Sequence, residues 1–77
     1  MKKLKVKLNT AKEIALFVNV CVHYDCDITC RCGRYDIDAK SIVGMVNFIG
    51  KEIEVLINCD DERVIDLFID EISLWIV

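Results

Sequence analysis

At 77 residues the chain has room for one domain, spanning 1–77, and none for a second folded unit. Its 55% apolar and 30% charged residues fit a compact core and exclude disorder, and ten Lys and Arg against 13 Asp and Glu leave a net charge of −3, so nucleic acid is not expected as a partner. Uncharged stretches such as Ser41 to Gly50 reach only about half of a membrane span, and Met1-Lys2-Lys3 leads into Lys5 and Lys7 rather than an apolar signal core. A cytoplasmic protein with no membrane partner is expected.

Residues 3 to 8 alternate strictly, with Leu4, Val6 and Leu8 on one side and three lysines on the other, the pattern of a strand with one wet face. From Thr10 the period changes. Ala11, Ile14, Val18 and Cys21, with Phe17 and Tyr24 beside them, follow 3-and-4 spacing and predict an amphipathic helix from about 11 to 24. His23, the only histidine, falls on or near its solvent side, with no second ligand in view. Asp25 and Asp27 end the helix. Ile28, Cys30 and Cys32 then alternate with polar residues, as do Tyr35 and Ile37, so a hairpin turning at Gly33 is expected. Ser41 opens a short apolar segment closed by Gly50, suited to a helix of two turns. Glu52 to Asn58 form a fourth alternating strand. Asp60-Asp61-Glu62 place acids where a helix start favours them, and Val64, Ile65, Phe68, Ile69, Ile72, Trp75 and Ile76 make an apolar stripe to the end.

The five cysteines, Cys21, Cys26, Cys30, Cys32 and Cys59, contain no CxxC pair, so the usual structural zinc spacing is absent. Without an export signal reduced thiols are expected, and a Cys-x-Cys on a strand puts both side chains on one face, as small core residues would lie. No metal and no cofactor is expected.

The order strand, helix, strand, strand, helix, strand, helix gives an α+β fold of two layers, a largely antiparallel sheet with helices on one face. Lys3, Lys5 and Lys7 on the wet face have Glu52 and Glu54 as cross-strand partners. The pattern alone leaves a ferredoxin-like arrangement equally open.

Asp27-Ile28, the hairpin, Ala39-Lys40-Ser41-Ile42-Val43-Gly44, then Ile53-Glu54-Val55 and the acidic start of the last helix resemble the histidine-containing phosphocarrier protein (HPr) family of the bacterial sugar phosphotransferase system. The resemblance covers nearly the whole chain, and Lys-Ser-Ile-x-Gly around Ser41 is its most specific part. It implies an open-faced βαββαβα sandwich of strand order 1-4-2-3, the fourth strand seated between the two parallel strands of a right-handed crossover.

In the same register the family's phosphoryl-accepting His-Ala-Arg-Pro falls on Thr10-Ala11-Lys12-Glu13. An alcohol cannot replace imidazole as a group that both accepts and readily releases phosphate. His23 lies about three helical turns, or ~20 Å, from Thr10. Thr-x-x-Glu instead reads as a capping box, Thr10 bonding the amide of Glu13 and Glu13 returning to the amide of Thr10. Ser41 keeps its context. The resemblance implies that this serine is the target of an ATP-dependent kinase in some members, whose modified form binds a transcriptional regulator, and that paralogues without the acceptor histidine are regulatory. Phosphate there would recast a surface carrying Ile42, Val43 and Val46, the candidate partner-binding residues; equally open is Ser41 as a plain N-cap with these three partly packed inward.

Two function classes follow. One is a non-enzymatic regulatory or docking module of HPr type, with no catalytic residue. It would use the surface shared by the starts of the first two helices and bind a transcriptional regulator or a phosphotransferase-system component. The other is a small metal- or thiol-binding domain using the cysteines on the same fold. A residual phosphocarrier and a degenerate copy without a partner also stay open.

Overall fold

Alternation along the first segment turns Leu4 and Val6 inward and leaves Lys3, Lys5 and Lys7 exposed, so Lys2–Lys7 forms β1 of the computed structural model, which describes residues 2–77. There follow α1 (Ala11–Cys21), β2 (Asp27–Cys32), β3 (Tyr35–Asp38), α2 (Ile42–Met45), β4 (Glu52–Asn58) and α3 (Glu62–Glu71). Short 3-10 turns extend α2 over Val46–Phe48 and follow α3 over Ser73–Trp75. The sheet order is β1-β4-β2-β3 with every neighbouring pair antiparallel, as expected, and this decides against the ferredoxin-like alternative. β1 and β2 therefore run parallel, with β4 between them.

The inward residues of the strands, Val6, Ile28, Cys30, Ile53, Val55 and Ile57, meet Ile14, Phe17, Met45, Phe48, Ile65, Phe68 and Trp75 from the helical layer in one buried cluster. Phe17 packs edge-on against Phe68 and Trp75 at ring distances of 6.4 and 6.0 Å, and Tyr24 against Phe68 at 5.2 Å. Such pairs contribute about 0.5–1.5 kcal/mol beyond their area. The hairpin turns on two residues. Gly33 supplies the positive φ of 62° that a side chain would resist, and Arg34 keeps a negative one, so the turn fits the twist of its strands.

The opposite face of the sheet is open and charged. Lys3 meets Glu54 at 3.7 Å and Lys5 meets Glu52 at 3.4 Å, each one step diagonal to the direct register partners Lys5↔Glu54 and Lys7↔Glu52. Arg31 bridges Glu54 at 3.7 Å and Asp36 at 2.8 Å, and its hydrogen bond holds the Asp36 carboxyl below the usual range. Solvent screens these exposed pairs, so they contribute little to stability.

Three boundaries differ from the sequence reading. α1 stops at Cys21 because the His23 and Tyr24 amides bond three residues back, tightening the last turn as Tyr24 swings onto Phe68. Its first residue, Ala11, is exposed rather than inward. The two-turn helix after Ser41 is one α-helical turn followed by a 3-10 turn. At the chain end Ile76 leaves the apolar stripe, bridges Val6, and is followed by Val77 donating to the Lys5 carbonyl at 3.1 Å. That contact covers part of the free edge of β1.

Candidate functional site

The start of α1 is closed by its own side chains. Thr10 is extended (φ −136°, ψ 160°) and its hydroxyl accepts the Glu13 amide at 3.1 Å. The return bond goes one residue further back than the expected box: the Glu13 carboxylate accepts the Asn9 amide at 2.7 Å rather than that of Thr10. The first turn thus already holds an anion of its own, where the dipole favours one. Lys12 is exposed beside it. His23 lies beyond the other end of α1, exposed, with Nδ1 2.6 Å from the Asn19 carbonyl.

The start of α2 is open. Ser41 is exposed and extended, and its hydroxyl accepts the Gly44 amide at a long 3.4 Å; no acid occupies the first turn. Behind it Ile42, Val43, Val46 and Ile49 are 46, 79, 40 and 37% exposed, which favours the surface strip over the inward-packed alternative. Met45 and Phe48 take the inward positions instead. Gly44 lets the short helix lie against β3, since a Cβ there would stand 2.7 Å from Ile37 Cγ2.

The Gly50 amide donates to the Leu8 carbonyl at 2.7 Å, and Lys40 Nζ to the Tyr24 carbonyl at 2.5 Å. The α2 region therefore runs antiparallel to α1. Ser41 sits by the end of α1, and the apolar strip leads from Ser41 back toward Thr10. Ile49 joins that strip unanticipated, although its place at the end of an apolar run before Gly50 was the available signal. A separate groove of about 450 Å³ beside Thr10, Glu13 and Leu16 is closed by Leu74 and Trp75. The 76% exposure of Leu74 was invisible in a segment that reads as one apolar stripe.

Cys21 and Cys30 are fully buried, and burial pushes the Cys21 thiol up to about 12 and the Cys30 thiol higher still, as packing residues behave. Cys32 is half-buried on the same face as Cys30. Among the described residues no three His, Cys, Asp or Glu side chains gather as metal ligands, and no helix is long and apolar enough to cross a membrane.

The sequence matches no protein-family model and no curated protein sequence. Solved structures are informative. The chain is similar to HPr-C-His from Thermoanaerobacter tengcongensis at 26% identity and a TM-score of 0.73, over 95% of this chain and 92% of that one. It has the HPr-like fold. Phosphocarrier protein HPr from Bacillus anthracis str. Ames superposes at a TM-score of 0.66 and 20% identity over 91% of this chain and 94% of that one. A histidine-containing phosphocarrier protein of Mycoplasma does so at 0.71 and 18% over 95% and 89%. The open-faced sandwich implied by the resemblance around Ser41 is thus the architecture of this chain.

Proposed function

We propose that this chain is a non-enzymatic docking and regulatory module built on the HPr-like fold, not a phosphoryl carrier. Its working surface is the strip behind Ser41, and its partner is a protein of the transcriptional-regulator or phosphotransferase-system class. The observation that carries the reading is the contrast at the two helix starts. Thr10 is committed to capping, with the Glu13 carboxylate already in the first turn, whereas Ser41 is exposed, loosely capped and followed by Ile42, Val43, Val46 and Ile49 at the surface. An apolar centre beside a switchable charge is what a regulated protein interface requires. Phosphate on Ser41 would add about −1.5 to −2 charges at the edge of that strip.

The test is to treat the protein with an HPr-type kinase and ATP, map the modified residue, and compare Ser41→Ala and Ser41→Asp for binding to the matching regulator. Labelling confined to Ser41, with tighter binding of the labelled protein, supports the proposal. No labelling of the wild type, or equal labelling of Ser41→Ala, leaves Ser41 as a cap and defeats it.

A further inference from the structure

β2 and β4 pair antiparallel down to Asp27↔Asn58. One further step of that register sets Cys26 opposite Cys59. Counting by twos from the buried Ile28 and Cys30 on one strand, and from Ile57 and Val55 on the other, both cysteines turn toward the helical layer, and both are half-buried. Directly opposed residues of an antiparallel pair have Cα atoms about 4.5–5.5 Å apart, inside the roughly 4.4–6.8 Å that a disulfide spans. Both side chains pack at the edge of the buried core, where the Cys59 thiol points to the Asp61 carbonyl at 3.8 Å.

They line an open groove of about 520 Å³ together with His23, Tyr24, Val64 and Leu67, so a small reagent can reach them. The other thiols are poorly placed. Cys21 and Cys30 are fully buried, and Cys30 and Cys32 lie two apart on one strand with parallel side chains. Burial, and then the neighbouring Cys59, raise the proton affinity of Cys26, while Lys40 lowers it.

We propose that Cys26 and Cys59 are a reversible disulfide site, closed by exchange with a low-molecular-weight disulfide such as oxidised glutathione, which fastens the segment between α1 and β2 to the segment leading into α3. In the first step one protein thiolate attacks a sulfur of the oxidant and expels one glutathione thiolate. In the second, the other protein thiolate attacks the mixed disulfide and expels the second. Two protein thiols are oxidised to one S–S bond, one small disulfide is reduced to two thiols, and the two protein protons end on those thiols. The site does not depend on Ser41 or on the docking reading.

The experiment equilibrates the reduced wild-type protein with oxidised glutathione, alkylates remaining thiols, and maps the products by mass spectrometry alongside thermal melts. The expected result is loss of two hydrogens, an intramolecular Cys26–Cys59 peptide pair, and a melting midpoint higher by about 10 °C that reverts with reductant. Cys59→Ser should instead keep a glutathione adduct on Cys26 and show no such rise. Wild-type protein carrying only glutathione adducts, pairing through Cys21, Cys30 or Cys32, or retaining all five thiols would overturn the proposal.

Discussion

The starts of α1 and α2 are both extended residues with a hydroxyl cap, yet they are built to opposite ends. At α1 every feature is local and closed. Thr10 serves Glu13, Glu13 serves Asn9, and the helix that follows sends Phe17 and Cys21 into the core. At α2 the cap is long, the helix lasts one turn, and large aliphatic side chains remain in water. A cap that is satisfied by its neighbours stabilises a fold, whereas a loose cap beside exposed apolar surface leaves free energy to be gained on contact with something else.

The firmness of the α1 half can be broken with alkali. Cys21 is raised from 9.0 to about 12, chiefly by burial, and Tyr24 from 10.0 to about 12, first by burial and then by its hydrogen bond to Glu71. Folding favours the protonated forms, so their stabilisation is complete below the unfolded values and disappears as pH rises through the folded ones. For Cys21 this is on the order of 4 kcal/mol at most. Urea unfolding from about pH 8 to about pH 11.5 should show a steep loss of stability, and Cys21→Ala should flatten that slope. An unchanged slope would mean that Cys21 is not a buried thiol.

The seating of α2 is sharpened by Gly44→Ala. The added methyl meets Ile37, and overpacking of this kind costs about 1–3 kcal/mol. A loss below ~0.5 kcal/mol in denaturant midpoints would show that α2 has room to shift and that its surface strip is not fixed. The caps themselves should then separate. Thr10→Ala should cost about 1 kcal/mol, and Ser41→Ala about half of that, because its bond is longer. Equal losses would erase the contrast. Smallest of all, Val43→Ser should leave stability within about 0.5 kcal/mol, since the side chain is mostly in solvent, while weakening capture of the regulator several-fold in a titration of the phosphorylated protein.

Periodicity made most of the framework readable. The alternation of Lys3 to Leu8 and of Glu52 to Asn58 assigned both strands and their wet faces, and the residues around Ser41 led to the sheet order. Boundaries were less legible where tertiary contacts decide them: the packing of Tyr24 on Phe68 shortened α1, and the bridge from Ile76 to Val6 removed the last residues from a stripe that looked helical. At the site, the Thr10 cap could be read because a capping box is a local pattern. The antiparallel course of α2 along α1 could not, because it rests on the bonds from Gly50 to Leu8 and from Lys40 to Tyr24, which join residues far apart in the chain. The opposition of Cys26 and Cys59 was hidden for the same reason, since it appears only once β2 and β4 are in register.

The most direct test asks whether the start of α1 can take a phosphoryl group at all. The protein is incubated with phosphoenolpyruvate and the general phosphotransferase enzyme beside an authentic HPr, and both are followed by intact mass under conditions that preserve phosphohistidine. The account predicts full phosphorylation of the HPr control and an unchanged mass for this chain. A phosphoryl group on Thr10 or on His23 would contradict it and return the α1 end to the chemistry of the carrier.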